Sequence, residues 1–363
     1  LVVTKPSAVE NVHRDYLEAG CDVIETNSFG GTNIVLAEYG LGEQSYDLNF
    51  RAARIARDLA LEYSRKGHPR FVAGSLGPTT KLPSLGHISF KEMAQAYRIQ
   101  AQALIEGGVD LLSVETCQDV LQIKSALYGI FESFRDARKR VPLVVSVTIE
   151  TMGTMLLGTE MFAALTAIEP FDVDVIGINC ATGPKEMSDH VRVLSASSPK
   201  PIFVMPNAGL PENIGGKAHY HLSPHELVQY LSRFVKDLGV QVVGGCCGTT
   251  HEHIRQLVSA VGALSPPPRS FDFVPGASSL YQASPFQITP PPILIGERTN
   301  ANGSKLFRDL LVKEDWEGMV AMGRDQVREQ AHMLDVCVAY AGRNEAADMS
   351  ELIRRFNTQV SIP

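Results

Sequence analysis

Three cysteines could place their sulfur atoms around one metal ion. Cys180 ends one predicted strand, Cys246 and Cys247 end another, and a single predicted strand lies between them in the chain. Next-nearest strands of a parallel sheet lie roughly 10 Å apart, and zinc–sulfur bonds are ~2.3 Å long, so side chains from both strands can reach one ion. Adjacent side chains normally point to opposite faces of a strand, but the glycines that flank the cysteine pair would let the backbone turn.

Three thiolates and one open coordination position are typical of a reactive zinc rather than of a closed structural one. A thiol that binds such an ion loses its proton and becomes a thiolate at neutral pH. The other thiolate ligands load the metal with negative charge, so the bound sulfur stays nucleophilic, and a thioether product is a poor ligand that can leave. The pattern therefore predicts transfer of an alkyl group, most simply methyl, to a small thiol.

Other interpretations of these residues remain open. Cys246 and Cys247 could form a strained vicinal disulfide, or a zinc could be purely structural, although the chain has no CxxC pair. Several histidines could add ligands, but their spacing fits no standard zinc motif, so we expect solvated loops and helix starts. These histidines are His219, His221, His225, His251 and His253. The remaining cysteines fit small buried hydrophobic residues. They are Cys21, Cys117 and Cys337.

An acidic residue, Glu115, lies near the end of an apolar predicted strand. It could cap the following turn, but an acid at the carboxyl end of such a strand is more often a substrate contact. Its expected partner is the amino group of an amino-acid substrate.

Short β-branched runs alternate with amphipathic helical stretches over residues 1–264. The predicted strands are 23–29, 71–76, 111–117, 143–149, 175–180, 202–207 and 240–246. The predicted helices are 6–18, 47–66, 90–107, 119–137, 161–171, 185–196, 224–238 and 250–261. Most strands are nearly continuously apolar, which is typical of a parallel sheet covered on both faces, and the alternation predicts βαβ units.

The first predicted helix calls for a strand before it, and one strand upstream of Leu1 would bring the count to eight. We therefore expect an α/β fold, a (β/α)8 TIM barrel that lacks its first strand in this chain. A doubly wound open sheet is the alternative, although no GxGxxG fingerprint follows an early strand. Because the chain opens at Leu1 and stops at Pro363, we expect it to be a fragment.

Residues 265–292 contain eight prolines and little periodicity. Proline at this density gives a semi-rigid extended connector, so we place a domain boundary here. Beyond it, residues 293–363 are predicted to form strands at 293–295 and 333–338 and helices at 316–332 and 345–356. This is a second βαβ series that stops after about two units.

The net charge of −7 provides no general attraction to nucleic acid or to an anionic membrane. No stretch approaches the ~18 apolar residues of a membrane-spanning helix, and the chain does not open with a charged-then-apolar signal. We therefore expect a cytoplasmic protein with neither nucleic acid nor membrane as a partner.

The segments INCATGP, MPNAG and GGCCGTT, together with VIETNSFGG, SLGPT and LLSVETC, closely resemble the homocysteine S-methyltransferase domain over residues 1–264. The resemblance implies that Cys180, Cys246 and Cys247 bind Zn2+ and that the sulfur of homocysteine takes the fourth position. It also implies that Asn207, the asparagine of MPNAG, can occupy that position before the substrate arrives.

The same resemblance implies that Glu115 holds the amino group of homocysteine and that Thr26 and Ser28 line the same pocket. The DGAMGT-like motif of the family, whose aspartate also contacts homocysteine, is absent from this chain. Its absence implies that the chain by itself binds homocysteine poorly.

The segment IGERTN at residues 295–300, followed by NGS, resembles the opening of the methyltetrahydrofolate-binding barrel of the cobalamin-dependent methionine synthase family, and MLDV fits the second strand of that barrel. The resemblance implies the first units of a second (β/α)8 barrel, with Asn300 and Asp335 in a pterin pocket. Since two strands cannot close a barrel, we expect no folate binding and a set of exposed apolar side chains. These are Leu294, Met333, Leu334, Val336 and Val338.

The reaction that the resemblance implies is a relay in which methylcobalamin donates its methyl group to zinc-bound homocysteine to give methionine. The cobalamin, held by a cobalamin-binding module of the full-length protein that is absent from this chain, is then remethylated by 5-methyltetrahydrofolate. Two alternatives are a homocysteine methyltransferase that uses betaine or S-methylmethionine directly, and a barrel with a structural zinc and no catalytic activity.

Overall fold

The structure is a computed structural model that describes residues 1–363. Its α-helices are α1 Pro6–Glu18, α2 Asn33–Ala37, α3 Ser45–Tyr63, α4 Phe90–Gly107, α5 Val120–Ala137, α6 Met161–Ile168, α7 Pro184–Ser197, α8 Pro224–Leu238, α9 His251–Val261, α10 Lys305–Val312, α11 Trp316–Arg328 and α12 Glu345–Gln359. Its strands are β1 Val23–Glu25, β2 Phe71–Leu76, β3 Leu111–Cys117, β4 Leu143–Val147, β5 Val175–Asn179, β6 Ile202–Met205, β7 Pro211–Ile214, β8 Lys217–Tyr220, β9 Val242–Val243, β10 Gly276–Ser278, β11 Ala283–Pro285, β12 Ile295–Gly296 and β13 Met333–Leu334.

Seven strands form one parallel sheet in the order β1-β2-β3-β4-β5-β6-β9. The order follows the chain without reversal, unlike the order of a doubly wound sheet. The sheet curls until α1 meets α9, where the Tyr16 hydroxyl donates a hydrogen bond to the Thr249 carbonyl at 2.9 Å and Gly20 lies against Val258. The predicted α/β fold with a parallel sheet is confirmed, in the form of a curled half-barrel.

Alternate residues of the strands face opposite sides of this sheet. The outward residues, such as Leu112 on β3 and Ile176 on β5, belong to a core of 49 buried residues that they share with the surrounding helices. The inward residues include the buried polar side chains Ser75, Ser146 and Asn179. Because a strand alternates with a period of two, the inner face collects these polar groups in one place.

Helices α4 and α5 pack closely on the outside of the sheet. A Cβ atom at Gly129 would lie 2.1 Å from the carbonyl oxygen of Ala94. No side chain fits at that distance, so only glycine permits the two helix backbones to approach this closely.

The proline-rich segment differs from the extended connector that its composition predicts. It contains an antiparallel hairpin, β10–β11, whose Ser278 hydroxyl donates to the Ala163 carbonyl of α6 at 3.0 Å. On its other side, the Tyr281 hydroxyl donates to the Thr358 carbonyl of α12 at 2.7 Å. The segment is therefore ordered by hydrogen bonds to both of its neighbours, which proline content alone does not reveal.

Residues 293–363 form a small α/β unit of their own. Strands β12 and β13 pair in parallel, and a core of ten buried residues lies between them and the last three helices. The prediction that Val338 is exposed is wrong, since it is fully buried with Phe307 and Leu311 of α10, a helix that the sequence pattern did not predict. Leu294 is exposed, as predicted. No helix anywhere in the chain has both the length and the apolar character needed to traverse a membrane.

Candidate metal centre and substrate pocket

Cys180, Cys246 and Cys247 form what we call the cysteine cluster, in which all sulfur atoms lie within 4.8 Å of one another. The Sγ atoms of Cys180 and Cys247 are 3.8 Å apart. Two sulfur atoms bound to a tetrahedral zinc with ~2.3 Å bonds would be about 3.8 Å apart. All cysteines of the chain are free, and Cys247 is exposed. The donor set therefore fits a zinc ion that is open to solvent on one side.

Backbone geometry brings the cluster together from two strand ends. Cys180 and Ala181 follow β5 with φ values of 63° and 58°, in the left-handed region that non-glycine residues rarely adopt. On the other side, the Cys246 amide donates to the Pro206 carbonyl at 2.8 Å, which ties the segment after β9 to the end of β6. Both turns direct side chains toward the carboxyl edge of the sheet.

Of the glycines that flank the cysteine pair, only Gly248 has a positive φ, at 78°. Its missing side chain also makes room for Tyr220, whose Cγ would lie 2.2 Å from a Cβ atom at this position. Gly244 and Gly245 act differently from our expectation, because they make room for Met205 and Thr249 rather than turning the backbone.

Close contact between the sulfur atoms shifts the pKa values of the Cys246 and Cys247 thiols in opposite directions. Hydrogen bonding with Cys180, and then with Cys246, lowers the pKa of the Cys247 thiol. Hydrogen bonding with the same two partners, Cys180 and Cys247, raises the pKa of the Cys246 thiol. Metal binding would displace the protons that the thiols of the cluster hold.

Glu115 lies on the inner face near the end of β3 and is 5% exposed. The Ser75 hydroxyl donates to its Oε1 at 2.6 Å. Burial raises the pKa of Glu115 to about 7, the Ser75 hydrogen bond opposes the rise, and the negative charge of Cys247 adds to it. No basic residue of the chain contributes to this pKa, so the pocket holds an acid without a cation.

Thr26 and Ser28 are both buried beside this acid. Their hydroxyls hydrogen-bond to each other at 2.5 Å. The Ser28 hydroxyl also donates to the Ser75 carbonyl at 2.7 Å, and the Ser75 amide donates to Thr26 Oγ1 at 3.0 Å. The two residues therefore hold in place the serine that orients Glu115.

Asn207 is buried after β6, and its Oδ1 accepts a hydrogen bond from the Cys247 amide at 3.1 Å. This contact places the asparagine against the cysteine cluster and fixes the turn that carries Cys247. The role predicted for Asn207 as a metal ligand stays a prediction.

The histidines stand apart from the cluster, and no histidine joins a group that could hold a metal. His253 is buried, and its Nδ1 accepts from the Thr250 amide at 3.1 Å as part of the cap of α9. His221 pairs with Glu212 at 2.9 Å on the exposed β7–β8 hairpin.

Comparison with known proteins shows the family to which this chain belongs. The sequence profile of the family described as homocysteine S-methyltransferase matches residues 1–261. The chain belongs to the homocysteine S-methyltransferase family. A solved member, the metallated form of the homocysteine methyltransferase MmuM from Escherichia coli, superposes with a TM-score of 0.59 at 25% identity, covering 71% of this chain and 86% of that one.

Two curated relatives of this family member are methionine synthases. That of Mycobacterium leprae is 47% identical over 366 residues, and that of Mycobacterium tuberculosis is 46% identical over 361 residues. Each alignment covers 99% of this chain but only 30% of the relative. The chain therefore spans about a third of the length of the relatives that it matches.

Three residues of this homocysteine S-methyltransferase pocket were not predicted from the sequence. Glu25 at the end of β1 is half-buried, and burial followed by the charge of Glu115 raises its pKa. Tyr220 reaches Cys247 from the β7–β8 hairpin. Asn179 places its amide 4.0 Å from the sulfur of Cys246. The sequence does show an acid in the VIETN segment and an asparagine beside Cys180. It does not indicate that Glu25 lies near Glu115 or that Asn179 lies near Cys246.

The residues predicted for a pterin pocket lie together in the last unit of the chain, at the carboxyl ends of β12 and β13. Asn300 Nδ2 donates to Asp335 Oδ2 at 2.7 Å, and Asp335 is exposed. This pair is built from one βαβ unit, and its binding to a pterin stays a prediction.

Proposed function

We propose that this chain binds zinc through the cysteine cluster and activates homocysteine as a methyl acceptor. The observation that carries the proposal is a set of three free thiols within 4.8 Å of one another, of which the Cys180 and Cys247 sulfurs are 3.8 Å apart. A zinc ion bound there would keep the sulfur of homocysteine as a thiolate at neutral pH. Membership of the homocysteine S-methyltransferase family supports the choice of substrate.

In this proposal, Glu115 pairs with the ammonium group of homocysteine. A buried carboxyl group without a cation is costly to ionise, and the charge of the substrate would remove that cost. Ser75 orients the carboxylate, and Thr26 and Ser28 hold Ser75. Asn207 would keep Cys247 in position and take the open place beside the metal until homocysteine displaces it.

The methyl transfer needs an electrophilic methyl donor. The homocysteine thiol gives up its proton, its sulfur forms the bond to the methyl carbon, and the electron pair of the broken bond stays with the donor. Similarity to methionine synthases supports methylcobalamin as this donor, recharged by 5-methyltetrahydrofolate. In this proposal residues 1–264 bind neither methylcobalamin nor 5-methyltetrahydrofolate, and the cobalamin-binding module would belong to another part of the full-length protein.

Two features of the fold belong to the same proposal. Strands β1 and β9 each pair with only one neighbour, so an eighth strand between them would close a (β/α)8 barrel. Residues 293–363, with Asn300 and Asp335, would be the first units of a methyltetrahydrofolate-binding barrel, and residues 265–292 the connection between the two.

Zinc-edge X-ray absorption of the zinc-loaded chain, with and without homocysteine, tests the central claim. We expect three sulfur ligands alone and a fourth when homocysteine is added. An unchanged sulfur count together with unfolding by a chelator would indicate a structural zinc instead. Turnover of the full-length protein with betaine or S-methylmethionine, and without cobalamin, would overturn the choice of donor.

A further inference from the structure

Asn179 occupies a position between the two halves of the candidate site. It is the last residue of β5, directly before Cys180, and it is 1% exposed. Its side chain lies on the inner face of the sheet, where β3, β4 and the segment after β9 converge around it. The contacts of its side-chain amide reach residues 63 and 67 positions away in sequence.

The orientation of this amide is fixed by its partners. Its Oδ1 accepts hydrogen bonds from the Thr116 amide at 2.8 Å and from the Ser146 hydroxyl at 2.5 Å. A backbone N–H can only donate, so the oxygen must face Thr116. The Nδ2 atom therefore takes the other branch of the amide, where it donates one N–H to Thr116 Oγ1 at 2.8 Å and lies 4.0 Å from the sulfur of Cys246.

The Asn179 amide holds Thr116 in an unfavourable conformation. Thr116 has a φ of 55°, which is strained for a β-branched residue. It lies in the irregular end of β3, where the register shifts between Val114 and Cys117. Glu115 directly precedes Thr116, so the direction of the carboxylate depends on this strained backbone and on the amide that clamps it.

We infer that Asn179 is a positioning residue that couples the metal ligand Cys246 to the substrate acid Glu115. One edge of its amide clamps Thr116 and thereby sets Glu115, and its second N–H donates to the Cys246 sulfur. Donation to a metal-bound thiolate withdraws negative charge from the sulfur and orients it, which is how groups outside the ligand set tune a metal. This inference rests on the proposed function, because it assumes that the cluster binds a metal.

Substitution by aspartate separates the two roles. Asn179→Asp keeps the shape and the oxygen that accepts from Thr116 and Ser146, and Thr116 Oγ1 can donate to its second oxygen. It removes both N–H groups of the amide and adds a carboxylate charge, so a shifted band reports the lost N–H only if the uncharged variant that combines Asn179→Ala with Thr116→Gly shows it as well. Asn179→Ala removes both roles, and Asn179→Ala combined with Thr116→Gly relieves the strain at residue 116 without restoring the N–H.

The probe is Co2+ bound to the full chain at pH 8 in place of zinc, because its thiolate-to-metal absorption band reports the charge on sulfur. We expect Asn179→Asp to move this band to longer wavelength while homocysteine still perturbs it. We expect Asn179→Ala to weaken Co2+ binding about tenfold or more and to abolish the homocysteine response. Adding Thr116→Gly should restore that response but leave the band shifted.

Ser146→Ala is the matched control, because it removes one partner of Asn179 Oδ1 and leaves the N–H toward sulfur in place. Its band should match that of the wild type. A wild-type band in the double variant overturns the inference, whatever the band of Asn179→Asp. If the wild-type chain gives no thiolate-to-cobalt band at all, the proposed function fails first, and that outcome is distinct from the other.

Discussion

Glu115→Gln tests the electrostatics of the pocket with almost no change of shape. The wild-type carboxyl is 5% exposed and accepts one hydrogen bond, from the Ser75 hydroxyl at 2.6 Å. The amide oxygen of glutamine can accept the same bond. The substitution therefore removes a charge and leaves the packing intact.

The magnitude follows from the pKa of the buried carboxyl. Burial raises it from 4.5 to about 7, which corresponds to about 3 kcal/mol at ~1.4 kcal/mol per pH unit. Because the folded protein holds this proton more tightly than the unfolded chain, the stability is fully present below pH 4.5 and is lost as pH rises through 7. Without homocysteine, Glu115→Gln should therefore be more stable than the wild type at pH 8, by up to about 3 kcal/mol, and equally stable at pH 4.

Binding should change in the opposite direction, because glutamine has no charge to offer an ammonium group. Charge-assisted hydrogen bonds contribute ~1.5–3 kcal/mol, so homocysteine should bind roughly 10- to 100-fold more weakly. Zinc content should not change, since Glu115 is not part of the cysteine cluster.

Urea unfolding at pH 4 and pH 8 measures the first effect, and titration calorimetry with homocysteine measures the second. The exposed acid Glu43 provides the control, since Glu43→Gln should change neither quantity. Equal unfolding free energies of Glu115→Gln and the wild type at pH 8 would refute the electrostatic reasoning. A gain in stability without any loss of homocysteine binding would refute only the pairing with the ammonium group.

Three further predictions concern the metal, the tail and the packing. Changing any cysteine of the cluster to alanine should remove zinc and activity from the full-length protein but spare the fold, and metal analysis measures the zinc. Cys117 is a buried cysteine away from the cluster, so the control variant Cys117→Ala should keep its zinc. Calorimetry of the 363-residue chain with methyltetrahydrofolate should show no saturable binding, because one βαβ unit supplies few of the strand ends of a barrel pocket; micromolar binding would contradict this. Gly129→Ala should lower the free energy of unfolding in urea by about 1–3 kcal/mol, because its Cβ would meet the Ala94 carbonyl at 2.1 Å, and an unchanged midpoint would show that the helices can move apart.

The sheet could be predicted because its strands are apolar enough to be recognised from local sequence. The strand 71–76 and the strand 111–117 have the predicted bounds. The first and last strands of the sheet are shorter than predicted, since the chain leaves the ladder at Thr26 and at Gly244 to build the site. Apolar composition cannot indicate where a backbone departs from its sheet.

The polar side of the site was predictable only in part. An acid at the carboxyl end of an apolar strand is more often a substrate contact than a cap, so Glu115 could be predicted from its place in the sequence. Asn179 could not, because its partners Thr116 and Cys246 lie far away in sequence. The same limit explains the hairpin β10–β11, whose order depends on hydrogen bonds to α6 and α12.

The hairpin in the proline-rich segment also bears on how the chain would be cleaved. A protease needs several residues that can detach locally, and an interdomain connector is usually the first place to offer them. Here the connector is hydrogen-bonded to α6 on one side and to α12 on the other. The β7–β8 hairpin, in contrast, is almost wholly exposed. A Cβ atom added at Gly215 or Gly216 in its turn would have no neighbouring atom within 4 Å. The first cut would therefore fall at this turn, and limited digestion would loosen the hairpin that carries Tyr220 to the cysteine cluster before it separated the two units.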